Sequence, residues 1–242
     1  MNRSSAKPAG RYEGGDYLAA NPSWHEEDSA WKARKILQLL RRAGVSLPPT
    51  VAEVGCGAGG ILKRLQEATA EPAEFFGYDV APAAIERAMR HANARLSFHC
   101  EDILRAGRRF DLLLCIDVFE HVEDPFAFLR SMRALAPLFV FNIPLEMHVA
   151  GILINHQLWT RRQFGHLHYY TAPLAMETLN DCGYRIVARD YPSRLLDEPR
   201  SASEWIFWLP RKVGAMISPE FSARVFGGTS LLVLARPEGP GA

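Results

Sequence analysis

The chain has 242 residues, 48% hydrophobic and 23% charged, with 28 Lys plus Arg against 27 Asp plus Glu and a formal net charge of +1. This is enough apolar material for one large domain or two small ones, and it excludes collagen-like, disordered and disulfide-scaffold classes. The near-neutral balance gives no bulk drive toward nucleic acid or an anionic membrane, and Cys56, Cys100, Cys115 and Cys182 form no CxxC pair of the kind that holds zinc.

Residues 1 to about 20 are rich in Gly, Ser and Ala without periodicity, which reads as a loose arm, with order expected from near Pro22. They contain no apolar run of signal-peptide type, and no later run reaches the roughly 18 apolar residues of a membrane span. A soluble, reduced, cytoplasmic protein is expected. From Asp28 onward, Trp31, Ala33, Ile36, Leu37 and Leu40 recur mostly at helical spacing with basic residues between them, an amphipathic helix capped by Asp28 or Ser29. Leu47-Pro48-Pro49 breaks it.

Strands are then expected at 51–55, 74–79, 96–100 and 110–116, with helices near 60–68 and at 82–93. Asp124-Pro125 opens a further helix as N-cap and first-turn proline, followed by a strand at 138–143. Thr171-Ala172-Pro173 opens another helix, stopped by Gly183, and strands at 184–188 and 230–235 close the pattern. Repeated βα units predict a parallel α/β sheet with helices on both faces. The stretch of about forty residues from Asp190 to Thr229 is too long for a simple connection and is expected to hold helices of its own. Its Trp205-Ile206-Phe207-Trp208-Leu209-Pro210 run reads as a cap over the parent domain, because Pro210 should interrupt any sustained surface helix.

Between the first strand and its helix lies Glu53-Val54-Gly55-Cys56-Gly57-Ala58-Gly59-Gly60. Glycines there let the backbone turn tightly and let a ligand approach the strand end without meeting a Cβ. Gly55, Gly57 and Gly60 also fit the GxGxxG spacing of dinucleotide enzymes, and Asp79, at the end of the second strand, could hold a ribose in either case. Three features point away from a dinucleotide. Glu53 lies inside the strand, where a buried carboxylate needs donors or a cation. The third strand ends in Glu101-Asp102-Ile103, an acid that can accept from an adenine amine beside an apolar side chain that can flank the ring. The glycine loop is preceded by some fifty residues of arm and helix.

These residues resemble the class I S-adenosylmethionine-dependent methyltransferases over about 51–190 plus the final strand. Glu53-x-Gly55-x-Gly57-x-Gly59 matches the first motif, with Cys56 contributing only its backbone; Asp79 matches the ribose acid, Asp102 with Ile103 the adenine site, and Phe110 to Asp117 the fourth-strand motif. The resemblance implies a Rossmann-like seven-stranded sheet of order 3-2-1-4-5-7-6 with the last strand antiparallel and helical cap elements. It also implies S-adenosyl-L-methionine as cosubstrate, bound across the carboxyl ends of the first strands. The expected organisation is an arm and helical cap at 1–50 and a methyltransferase domain at 51–242 with a cap-like insertion at about 190–229.

Asp117-Val118-Phe119-Glu120-His121 resembles the small-molecule branch that includes ubiquinone-biosynthesis O-methyltransferases. Asp117 and His121 could line the donor pocket, His121 could take a proton from the acceptor, or Asp117, Glu120 and His121 could hold a divalent metal. No metal is favoured, since Asp117 stands where metal-binding relatives carry Glu. Gly165-His166-Leu167-His168-Tyr169-Tyr170 adds His166 and His168 as catalytic candidates, with Ile143-Pro144-Leu145-Glu146 as a wall of the acceptor pocket and Trp24 or His25 reaching over the site. The expected reaction is in-line methyl transfer to a small-molecule acceptor, a hydroxyl oxygen above nitrogen or carbon, with no nucleic-acid partner. The alternatives are a nicotinamide-dependent oxidoreductase and a non-catalytic partner or membrane-surface module built on Trp205 to Lys212. Oligomeric state stays open.

Overall fold

The computed structural model describes residues 26–69 and 72–239. Seven strands, β1 (Thr50–Val54), β2 (Glu74–Asp79), β3 (Leu96–Cys100), β4 (Leu112–Ile116), β5 (Phe139–Pro144), β6 (Tyr184–Asp190) and β7 (Ser230–Pro237), form one sheet in the order 3-2-1-4-5-7-6. β1 to β5 are parallel, and β7 runs antiparallel to both β5 and β6. The expected order and the antiparallel last strand are both found.

The helices are α1 (Ser29–Arg42), α2 (Gly60–Glu67), α3 (Pro82–Ala88), α4 (Pro125–Met132), α5 (Val149–Leu153), α6 (His156–Gln163) and α7 (Ala172–Asp181). The 190–229 stretch contributes α8 (Arg194–Asp197), α9 (Ala202–Ile217) and α10 (Pro219–Phe226). Period-two alternation along the strands divides the core. Val51, Leu112, Leu114 and Val140 face a cluster with Ile36, Leu39, Leu40 and Leu62 of α1 and α2, while Ala52, Leu113, Cys115 and Phe141 face Leu129, Met132 and Leu179 on the other side. By the same alternation Glu53 falls on the α1 side, which decides its electrostatic neighbours.

Several expectations need correction. The helix expected at 82–93 ends at Ala88 and tightens into a single 3-10 turn, because Asn93 and Leu96 already pair across the turn into β3. The strand expected from Phe110 begins at Leu112, since the N–H of Phe110 donates to Leu135 O and that of Asp111 to Thr50. Asp28 occupies the N-cap position without a side-chain cap bond, its carboxylate taken by Arg200 at 2.9 Å, and Ser29 lies inside the helix. α9 continues through Pro210, which is exposed, so the bond lost at its nitrogen lies on the side where water can serve the orphaned carbonyl. The arm, Trp24 and His25 lie outside the described residues.

The turn into α2 depends on glycine. Gly59 has φ +76° at the N-cap of α2, and a Cβ there would sit 2.5 Å from the Phe98 ring. Gly59→Ala is expected to destabilise the chain by about 2 kcal/mol, combining a strained left-handed conformation with a core clash. A denaturant midpoint that does not move would contradict this.

Candidate functional site

The carboxyl ends of β1, β2 and β4 converge on the glycine loop. Gly55 and Gly57 have φ of +65° and +53°, and a Cβ at Gly55 would meet Val118 at 2.7 Å. The Gly57 N–H donates to Asp79 Oδ2 and the Ala81 N–H to Oδ1, each at 2.9 Å, so the carboxylate ending β2 anchors the loop following β1. Burial raises the Asp79 carboxyl above its ordinary range, opposed by these backbone donors. Cys56 is buried and its N–H donates to Tyr78 O, so its place in the loop is a backbone one. β3 stops at Cys100, so Asp102 lies two residues beyond the strand rather than at its end; its Oδ1 caps the following turn by accepting from the Leu104 N–H, and Ile103 is packed in the core at 1% exposure.

Glu53 is 2% exposed and its Oε2 has no hydrogen-bond partner. Burial holds its carboxyl well above the ordinary carboxylate range; Lys32 opposes this, while Asp79 and Asp117 add to it. The cost of such a group is the desolvation of an unpaired polar atom. Glu53→Gln is therefore expected to stabilise the ligand-free chain by about 1 kcal/mol at pH 8. A raised folded-state value means that the native state keeps a proton the unfolded chain releases above about pH 4.3, so stability falls as pH rises through that window. Melts of the two proteins should converge near pH 4 and separate toward pH 8; a variant less stable than the native chain at pH 8 would contradict this.

Asp117 follows β4 with φ +55°, a conformation that non-glycine residues rarely adopt. Its carboxylate accepts from Lys32 Nζ and from Asn142 Nδ2, each at 2.6 Å. Burial would raise this carboxyl, but Lys32 and Asn142 hold it below its usual range. Lys32 lies on α1 and Asn142 on β5, so three elements lock one side chain. Neither partner was singled out in the sequence: Lys32 is one of several basic residues on an amphipathic helix, and Asn142 sits within an apolar strand. The only available signal for Lys32 was the buried Glu53, which called for a cation without saying which.

The acceptor-side candidates gather around Glu120. It is fully buried, both carboxylate oxygens lack partners, and burial together with the charge of Asp117 pushes its carboxyl well above the usual range. Its backbone carbonyl accepts from the N–H groups of Leu167 and His168, at 2.8 and 3.1 Å, which ties the 165–170 segment over this turn. The ring of His166 lies edge-on to that of His121, centroids 4.7 Å apart, with its Nδ1 2.8 Å from Glu146 Oε2. His168 goes elsewhere, its Nε2 bonded to Val122 O at 2.9 Å, so the two histidines do not share a partner. Glu120, His121 and His166 each offer a ligand atom within 4.8 Å of one another. The chemistry of that donor set, two imidazoles and an unpartnered carboxylate, suits a divalent cation. Asp117, committed to Lys32 and Asn142, is not part of it.

The family pattern described as a methyltransferase domain matches residues 24–189. A ubiquinone biosynthesis O-methyltransferase from Cereibacter sphaeroides is 37% identical over 89 residues, 34% of this chain and 35% of that protein. One from Coxiella burnetii is 33% identical over 91 residues, 35% of this chain and 38% of the relative. The alignments thus span little more than a third of those proteins' length. The magnesium protoporphyrin IX methyltransferase of Synechocystis with bound SAH superposes with a TM-score of 0.63 over 96% of this chain and all of the other, at 14% identity, a likeness of fold.

Proposed function

The chain belongs to the class I methyltransferases, its family domain spanning residues 24–189, and on that premise we propose that it moves a methyl group from S-adenosyl-L-methionine to a hydroxyl oxygen of a small-molecule acceptor. The observation that carries the donor assignment is the unpartnered carboxylate of Glu53, buried beside a glycine loop that Asp79 anchors. A ligand with a cationic end satisfies Glu53; a pyridine nucleotide, with its anionic pyrophosphate, would set negative charge near Glu53, Asp79 and Asp117. In this reading Gly55, Cys56 and Gly57 present backbone to the ligand, and Asp79 uses its remaining lone pairs for the ribose hydroxyls. Asp102 takes the adenine amine through Oδ2 with Ile103 beside it, and Asp117 closes the methionyl side, its orientation set by Lys32. Residues 51–242 form the catalytic domain, with 190–229 a helical insertion, and the preceding helix supplies Lys32.

The acceptor oxygen attacks the methyl carbon in line with the carbon–sulfur bond. As the new C–O bond forms, the C–S bond breaks, its electron pair returns to sulfur to leave neutral S-adenosylhomocysteine, and the hydroxyl proton passes to an imidazole. His166 is the base best placed to be oriented, because Glu146 holds its Nδ1, and His121 shares the pocket. His168, bonded to the Val122 carbonyl, positions the loop. A divalent cation held by Glu120, His121 and His166 would supply Lewis-acid polarisation of an acceptor oxygen; it would take the lone pair that proton transfer to His166 uses, so the base role belongs to the metal-free site. Support for oxygen comes from this carboxylate-backed histidine and from the O-methyltransferase names of the partial relatives.

The test is a panel of hydroxylated and amino small molecules incubated with methyl-labelled S-adenosylmethionine, with and without chelator, and read by mass spectrometry. Label on an acceptor oxygen supports the reading; label confined to nitrogen would overturn the oxygen assignment. Label on no small molecule, with a donor that binds, would overturn the acceptor class.

A further inference from the structure

The helix α9 is packed the opposite way round from an ordinary surface helix, whose apolar stripe faces the core. Trp205, Ile206, Leu209, Val213, Met216 and Ile217 are all at least half exposed, Met216 at 79%. At 3.6 residues per turn they occupy an arc of about 120° along a helix about 24 Å long. Among the described side chains the other side carries Glu204, Arg211 and Trp208. Glu204 is bound by Arg194 at 2.8 Å, Arg211 donates to the Phe226 carbonyl, and Trp208 spends its indole N–H on Leu196 O. Such an arrangement leaves a large apolar face in water unless something covers it. α10 packs against both α9 and α5, and the neighbouring α5–α6 corner exposes Ile152, Leu153, Ile154 and Trp159, with Leu153 at 78% exposure.

The charges on these four helices indicate what covers the face. α5, α6, α9 and α10 hold five cations, of which Arg161, Arg162, Lys212 and Arg224 are exposed and Arg211 is turned inward, against two carboxylates, Glu204 and Glu220. Both carboxylates are neutralised within ion pairs, with Arg194 and with Arg224. Lys212 is exposed at the edge of the stripe, its ammonium 5.9 Å from the centroid of the Trp208 ring, and Arg161 and Arg162 are exposed at the end of α6. An apolar arc with tryptophans, bordered by cations, matches a bilayer interface that offers acyl chains below and anionic headgroups at the rim. No described helix is long and apolar enough to cross a membrane, so the contact is one of lying on the surface. We propose that the outward face of α9, with the neighbouring α5–α6 corner, docks this protein on the surface of an anionic phospholipid bilayer.

The experiment is co-sedimentation of the full chain with vesicles of pure phosphatidylcholine and of phosphatidylcholine mixed with phosphatidylglycerol, at low and high salt. The expected result is binding to the mixed vesicles, at least about tenfold weaker on the neutral ones and weakened by salt. Leu209→Glu with Met216→Glu, both at exposed positions, should reduce binding by about tenfold or more while leaving the cooperative melt unchanged. The melt readout keeps this test separate from the methyl-transfer reading. Absence of sedimentation, equal binding to neutral vesicles, or undiminished binding by the double variant would each overturn the proposal. So would a native chain that is dimeric by light scattering and ignores vesicles, becoming monomeric with the same substitutions; the face would then be closed by a second copy.

Discussion

His166→Gln is expected to lower kcat at saturating acceptor by about 100-fold, while affinity for S-adenosylhomocysteine changes by less than about threefold. The reason is positional. Glu146 Oε2 sits 2.8 Å from Nδ1 of His166, fixing the ring so that the other nitrogen can receive a proton, and a glutamine amide keeps the volume without the basicity. In the proposed arrangement the donor lies at the ends of β1, β2 and β3, which this substitution does not touch. Glu146→Gln should give a smaller loss in the same direction, since it frees the ring without removing the base. A His121→Gln, His166→Gln double variant that loses no more than the worse single one would identify the two rings as one unit. A kcat within about threefold of native would exclude His166 from proton transfer.

Asp79→Ala should raise the dissociation constant for S-adenosylhomocysteine by about 10- to 100-fold, the loss of charge-assisted hydrogen bonds to a ribose. Part of that loss is indirect, because the same carboxylate accepts from Gly57 and Ala81 and so shapes the loop against which the ligand lies. Asp79→Asn separates the two contributions: its one carbonyl oxygen can keep one backbone bond while the charge is gone. Asp102→Ala should cost less, since Asp102 offers a single contact and its cap bond to Leu104 closes only a short turn. Unchanged affinity in a folded Asp79→Ala protein would remove the ribose assignment and, with it, the reading of the β2 end as the donor site.

The fold was legible because its signals are local. Buried parallel strands such as Leu112–Ile116 are short apolar runs, and Asp124-Pro125 and Thr171-Ala172-Pro173 mark helix starts at which Asp124 and Thr171 do accept cap bonds. The glycine loop and the acids at the ends of β2 and β3 were legible for the same reason, each lying at a fixed offset from a strand. What could not be read was contact between distant elements. Lys32 and Asp117 are separated by 85 positions, and nothing in an amphipathic helix marks which of its lysines turns inward. His166 and His168 look equivalent in the sequence, yet one meets Glu146 and the other a backbone carbonyl, a choice made by the tie of their loop to Glu120. Pro210 misled for a further reason. Its cost depends on whether the orphaned carbonyl reaches water, and burial is a tertiary property.

The charged cluster beside the glycine loop looks like a site kept at some cost to the fold. Glu53 is buried without a partner, Asp117 is held in a strained backbone conformation, and both lie within the field of one lysine. Strain and unsatisfied polarity of this kind concentrate where a ligand completes the arrangement. The same substitution that should stabilise the empty chain, Glu53→Gln, should therefore weaken the binding of a cationic donor.

Calorimetric titration of the native chain with S-adenosylhomocysteine, with NADH as the parallel ligand, tests the donor assignment most directly because it needs no acceptor. Saturable binding of S-adenosylhomocysteine in the micromolar range is expected, with a thermal shift to match, and no binding of NADH. Binding of NADH, or no binding of S-adenosylhomocysteine by a chain that melts cooperatively, would contradict it.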